Sequence, residues 1–203
     1  DAVADMANGL DLPAMGAHVT RSTKLSAQLA QLNLTPGDIE FVSFSHQHGD
    51  HTGNGNMFVG STWIVDADER AFMFSNEARA GQAFPGYAQL ENARTRVIEG
   101  DSDMDVFGDG TVVIVQAPGH TPGHTVLRVN LANAGTVLLT GDMWHLAESR
   151  ERRTVPRFNT DRAQTLASMD KVEALARETN ARVIRQHVQE DFDSLPRFPE
   201  ALN

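Results

Sequence analysis

The chain has 203 residues, 40% apolar and 22% charged, with a formal charge of −10 and no cysteine. That composition suits a single soluble domain over 1–203 and excludes disulfides, thiolate zinc sites and thiol nucleophiles. The acidic balance repels phosphate backbones, so nucleic acid is not an expected partner; the only Arg-dense stretch holds Arg150, Arg152, Arg153 and Arg157.

No apolar run approaches the about 18 residues needed to span a bilayer. The chain opens on Asp1 with no basic and then apolar leader, which reads as a processed or truncated start. Location is left open between the cytoplasm and export with the signal removed. Residues 1 to 21 read as an irregular entry punctuated by Pro13 and Gly16, with His18 a surface histidine. Leu25, Leu29 and Leu32 predict an amphipathic helix over Ser22 to Asn33, and Ile39 to Ser45 reads as a buried strand.

That strand runs into Ser45-His46-Gln47-His48-Gly49-Asp50-His51, where three imidazoles and a carboxylate crowd together. Imidazole nitrogen with carboxylate oxygen is the usual donor set for a divalent ion where thiolate is absent. A Gly-rich turn follows, then a strand at Ser61 to Val65 and a helix at Asp66 to Phe74 that Asp66 caps ahead of Glu69. Residues 75 to 93, broken by Gly81, Pro85 and Gly86, read as a connecting loop. Thr95 to Glu99, Met104 to Phe107 and Thr111 to Gln116 predict three strands joined by Gly-Asp turns. Asp101, Asp103, Asp105 and Asp109 lie in those turns without an EF-hand register, so they read as turn carboxylates and not a calcium site.

Pro118-Gly119-His120-Thr121-Pro122-Gly123-His124 is the second dense motif, set between strands. Strands over Thr125 to Leu131 and Thr136 to Thr140 follow, the latter ending in Gly141-Asp142. Ala147 to Phe158 reads as a solvated loop. Thr160 to Thr179 is the longest predicted helix, its stripe of Leu166, Met169, Val172 and Leu175 facing the core. A last strand, Arg182 to Gln186, ends at His187.

Candidate ligands thus stand at four strand ends, and open sheets gather their sites outside the carboxyl ends of strands. His46 and His48 project to one side of an extended segment and suit one ion with His120. Asp50 and His51 suit a second ion with His187, and Asp142 can bridge the two. Such pairs of ions activate a shared water, so the inferred chemistry is hydrolysis.

These residues resemble the four metal-binding motifs of the metallo-β-lactamase fold superfamily, from about Phe41 to the C-terminus. The resemblance implies an α/β fold, a four-layer αβ/βα sandwich with a dinuclear site along one edge. The family's opening strands would then be missing or truncated here. Asp142 stands where true β-lactamases generally lack a bridging Asp. Together with Ala117 to His124 and Gln186-His187-Val188-Gln189-Glu190-Asp191-Phe192, it makes the chain most similar to the N-acyl homoserine lactonases. That similarity implies lactone ring opening by a metal-bridging hydroxide, the reaction of quorum quenching, with two ions, zinc first and iron, manganese or cobalt also suited.

Lactonases of this type carry a Tyr shortly after the bridging Asp. This chain has Met143, Trp144 and His145 there, and its only tyrosine is Tyr87. His145 is the candidate donor to the lactone oxygen, Asp50 a candidate proton guide beside its ligand role, and His124 a candidate partner behind the ligands. Met143, Trp144, His145 and Phe158, with Phe72 and Phe84, are the candidate substrate-lining residues, and Met143, Trp144 and the phenylalanines read equally as core. The alternatives are β-lactam, thioester or phosphotriester hydrolysis at the same site, or a non-catalytic metal-binding scaffold; a monomer and a homodimer are both compatible with the sequence.

Overall fold

The computed structural model describes residues 24–203. The expectations of an irregular entry, of a surface His18 and of truncated opening strands lie outside the described residues. The chain divides into two compact units, one ending at Val65 and resuming over Ala71–Arg96, the other built from Asp66–Arg70 and Val97–Asn203.

In the first unit, α1 (Leu25–Gln31) is shorter than its leucine pattern predicts because Asn33 takes a positive φ of 58° and turns the chain away. Strand β1 is only Phe41–Val42, paired in parallel with β2 (Thr62–Asp66) through Phe41↔Thr62 and Val42↔Trp63. The predicted strand to Ser45 therefore stops early, and the chain leaves the sheet before its histidines and forms α2 (Gly49–Thr52). Strand β3 (Thr95–Ile98) completes a sheet of order β1-β2-β3.

Helix α3 (Ala67–Met73) follows β2, and residues 75 to 93 prove more regular than a loop, with α4 (Asn76–Arg79), α5 (Phe84–Tyr87) and a 3-10 turn over Ala88–Asn92. Their aromatics make the core. Phe74 meets Trp63 and Tyr87 edge-on at 6.1 Å, and Phe84 meets Tyr87 at 5.5 Å. Phe84 and Tyr87 are thereby spent on packing: the one tyrosine is fully buried, its hydroxyl donating to the Met73 carbonyl at 3.3 Å.

The second unit is a five-stranded sheet of order β4-β5-β6-β7-β8, from β4 (Met104–Asp105), β5 (Val112–Gln116), β6 (Thr125–Leu131), β7 (Gly135–Leu139) and β8 (Arg182–Ile184). Neighbours are antiparallel except β7 and β8, which run parallel. The three consecutive strands predicted over residues 95 to 116 thus belong to two sheets, the chain changing sheet after a turn at Gly100 with φ 66°. The acidic turns serve their own backbone: Asp105 accepts from the amides of Phe107, Gly108 and Gly110, and Asp109 from that of Thr111.

Helix α7 (Arg162–Glu178) is capped by Asp161, which accepts from the Gln164 amide at 2.9 Å. It lays Met169, Val172 and Ala176 against Val113, Val115, Val126 and Leu138, with Leu166 and Leu175 at the margin as the stripe predicts. The Arg-rich loop contains a turn of helix, α6 (Ser149–Arg152), tied to α7 by ion pairs of Arg150 with Glu173 and Arg153 with Asp170. No helix among the described residues is long and apolar enough to cross a membrane.

Candidate metal centre

Each unit presents its own set of donors. In the first, leaving β1 early frees the backbone to turn, and His46 becomes fully buried. Its Nε2 comes within 2.8 Å of Nδ1 of His48, so the two rings converge through opposite nitrogens. The Ser45 hydroxyl stands 3.1 Å from Nδ1 of His46 and 3.0 Å from Nδ1 of His51, orienting both rings. One hydroxyl proton serves only one of them, so Ser45 donates to one ring and accepts from the other. His51 Nε2 lies 3.6 Å from an Asp50 oxygen. Sequence reasoning gave Ser45 no role, and its adjacency to the motif was the available signal.

In the second unit the donors gather on Asp142, in a 3-10 turn (Gly141–Met143) that directly follows β7. Its carboxylate faces three imidazoles: Oδ2 lies 3.4 Å from His120 Nε2 and 3.0 Å from His145 Nε2, and Oδ1 lies 3.0 Å from His187 Nε2. His145 and His187 stack in parallel at 5.7 Å. His124 is buried behind them. Its Nδ1 donates to the Ala117 carbonyl, which fixes the tautomer, and its Nε2 accepts from the Asp142 amide at 3.1 Å. The side chain that sequence reading set behind the ligands therefore ties the end of β5 to the turn after β7.

Two donors sharing a tetrahedral ion with bonds of about 2.0 Å stand about 3.3 Å apart. The pairs His46/His48, His120/Asp142, His187/Asp142 and Asp50/His51 are spaced at 2.8, 3.4, 3.0 and 3.6 Å. All supply imidazole nitrogen or carboxylate oxygen. The donors present fit a divalent metal ion.

The backbone holding His120 is pinned by α7 and its lead-in. Gly119 has φ 127°, and an added Cβ would fall 2.3 Å from the Thr165 amide nitrogen, so only glycine fits. The Gly119 carbonyl accepts from the Asp161 amide and Asn159 Nδ2, and the Ser168 hydroxyl donates to the Pro118 carbonyl.

His187 stands two residues before α8 (Gln189–Asp193), which an ion pair fastens to β8. Arg185 donates from Nε and one Nη to the two oxygens of Asp191 at 2.7 and 2.8 Å, and its amide adds a third bond. That side-chain hydrogen bonding from the guanidinium holds the Asp191 carboxyl below the usual carboxylate range. A depressed folded-state pKa stabilises the fold above the unfolded value of about 3.9 and ceases to do so as pH falls through the folded value. Asp191→Asn is expected to lose roughly 1.5–3 kcal/mol at pH 7, the range for hydrogen bonds to charged groups. Urea melts at pH 7 and at pH 3 should show the gap between wild type and variant narrowing at the lower pH.

Met143 and Trp144 leave the substrate-lining set. They are 2% and 1% exposed and belong to the core against α7. Phe158 is 64% exposed and sets its ring edge-on to His145 at 5.3 Å and to His120 at 6.0 Å.

Residues 13–187 match the metallo-beta-lactamase superfamily. The chain is 34% identical over 181 residues to the N-acyl homoserine lactonase AttM of Azorhizobium caulinodans, covering 86% of this chain and 66% of that protein. It thus spans about two thirds of that relative's length. Among solved structures it resembles an N-acyl homoserine lactone hydrolase with the product N-hexanoyl-L-homoserine at its catalytic metal centre, with a TM-score of 0.75, 26% identity and coverage of 88% of this chain and 68% of that one. It also resembles a variant of AiiA from Bacillus thuringiensis with N-decanoyl-L-homoserine bound at the active site, with a TM-score of 0.76, 26% identity and coverage of 91% and 70%.

Proposed function

The chain belongs to the metallo-beta-lactamase superfamily, and from that membership and its donor set we propose that it is a dinuclear metal-dependent hydrolase opening the lactone ring of N-acyl homoserine lactones, the reaction of quorum quenching. His46, His48 and His120 are the proposed ligands of one ion, Asp50, His51 and His187 those of the other, and Asp142 the bridge. Zinc is the proposed metal, with iron, manganese or cobalt suited to the same donors. The observation that carries the reading is the placing of the Asp142 oxygens, Oδ2 towards His120 and Oδ1 towards His187. The similarity to the lactonase AttM and to the product-bound hydrolase supports the substrate class.

Divalent ions held by these residues would supply Lewis acidity and a nucleophile from water near neutral pH. The chain's own groups supply orientation and proton placement. Asp142, fixed at its amide by His124, holds the three imidazoles around it in register. His145 takes the place of the lactonase tyrosine and donates from its ring to the carbonyl or leaving oxygen of the lactone. Asp50, the half-exposed carboxylate of the first donor set, guides the proton released on attack. Phe158 supplies an apolar wall for the acyl chain, as ligand sites generally pair apolar walls with a few polar anchors.

Ring opening consumes one water, breaks the ring C–O bond and releases one proton as the product acid ionises, so a pH-stat reads it directly. The zinc-loaded protein should titrate two equivalents of metal. It should then release acid from N-hexanoyl homoserine lactone faster than it turns over a chromogenic β-lactam, a glutathione thioester or a phosphotriester. A faster rate on any of the other three reassigns the substrate. No turnover of any class by the metal-loaded protein leaves a metal-binding scaffold.

A further inference from the structure

The loop carrying His120 is held by a carboxylate, Glu69, that no part of the proposed chemistry uses, with a second, Asp66, supporting it. The loop closes on itself: the Ala117 amide donates to the His124 carbonyl at 3.0 Å and the Gly119 amide to the Thr121 carbonyl at 2.9 Å. The amide of Gly123 points out of this turn and donates to Glu69 Oε2 at 3.0 Å. Glu69 is 2% exposed and lies 54 residues earlier in the chain. Behind it, Asp66 Oδ1 accepts from the amides of Asp68 and Glu69, and Asp66 Oδ2 accepts from Gln116 Nε2 at 2.7 Å.

Asp66 thus caps α3 at the place that presents Glu69 and ties that place to the end of β5, from which the loop departs. The fit leaves no slack. A Cβ on Gly123 would lie 1.9 Å from Asp66 Oδ1 and 2.6 Å from the Glu69 amide nitrogen, so the second glycine of Pro118-Gly119-His120-Thr121-Pro122-Gly123-His124 is required by these two residues. The short segment Asp66–Arg70 belongs to the second unit although both its flanks belong to the first, and these hydrogen bonds join it to Gln116 and Gly123 of that unit.

We propose that Glu69 is a positioning residue for the metal centre: its carboxylate fixes the Gly123 amide, and through that turn sets where His120 and His124 stand. The inference rests on the metal-binding reading of His120. A buried carboxylate is costly unless it is hydrogen-bonded, and here its partner is the loop that presents a ligand three residues earlier. Loss of the acceptor frees that loop on one side while α7 still holds the other, so the expected defect is in metal affinity ahead of the fold. Partners behind metal ligands typically contribute about 10–100-fold in metal affinity.

The test uses Glu69→Ala and Glu69→Gln beside wild type, with zinc affinity from competition against a chromogenic chelator and the visible spectrum of the cobalt-loaded proteins. Far-UV circular dichroism of the metal-free proteins monitors the fold. Glu69→Ala should bind zinc about 10–100-fold more weakly with an altered cobalt spectrum, while Glu69→Gln, which keeps an oxygen to accept from Gly123, should recover most of the affinity. Wild-type affinity in Glu69→Ala overturns the proposal, as does a loss in Glu69→Gln as large as in Glu69→Ala. Should Glu69→Ala not fold, Glu69→Gln alone decides: wild-type affinity and spectrum uphold the role of the acceptor, and a weakened site refutes it. Absence of metal binding by the wild type would instead refute the metal reading itself and take the proposal with it.

Discussion

Asp142→Ala is expected to lose bound metal and hydrolysis together while keeping its fold. The carboxylate faces His120, His145 and His187 at once, within 3.0–3.4 Å. Truncating it removes both oxygens and leaves three imidazoles without the anion between them. The backbone has other supports, since the Asp142 amide is held by His124 and the Met143 amide donates to the Thr140 carbonyl at 3.1 Å. Lewis-acid stabilisation is worth several kcal/mol, and each 1.36 kcal/mol is a factor of ten, so kcat/KM should fall by about a thousandfold or more. His48→Ala in the first unit should do the same, because it removes the nitrogen that meets His46 at 2.8 Å. Elemental analysis of both variants beside pH-stat rates checks the prediction. Retention of metal and activity by either would refute the ligand set.

The donors were legible because each sits where a strand pattern breaks. His120, Asp142 and His187 follow β5, β7 and β8 within four residues, and regular strands announce their ends by loss of alternation and by glycine. The long helix α7 was legible for the same reason, a strong period over many residues. Features set by distant partners were not. Nothing local marks the Ile39 to Ser45 run as a two-residue strand, because its length depends on how far β2 accompanies it. Nothing local assigns β3 to one sheet and β4 to another. Glu69 reads as an ordinary residue of the first helical turn, and its partner amide lies 54 positions away. Gly119 and Gly123 were visible as glycines, but what excludes a side chain at each is Thr165 in one case and Asp66 in the other.

Trp144 shows why adjacency to a ligand misleads. Asp142, Met143 and Trp144 are consecutive, but the 3-10 turn ends at Met143 and Trp144 leaves it with extended backbone, so adjacency in sequence does not aim their side chains together. Asp142 turns to the imidazoles while Met143 and Trp144 enter the core with Val115, Leu138 and Val172. Trp144→Ala is therefore expected to act on stability and not on substrate choice. Emptying a buried tryptophan costs about 3–5 kcal/mol, which for a chain of this size lowers Tm by roughly 6–20 °C. It also removes the ring over which the Arg150 guanidinium sits at 5.4 Å. Trp144→Phe should be much milder: among the described residues no hydrogen-bond partner meets the indole Nε1, so the phenyl ring forfeits area but no hydrogen bond. The deciding measurement is the ratio of kcat/KM between short-chain and long-chain acyl lactones at a temperature where Trp144→Phe is fully folded. A core role leaves that ratio at the wild-type value while Tm falls. A pocket role would shift the ratio with little change in Tm, and would give Trp144 the part in specificity that is proposed for the exposed Phe158 and for His145.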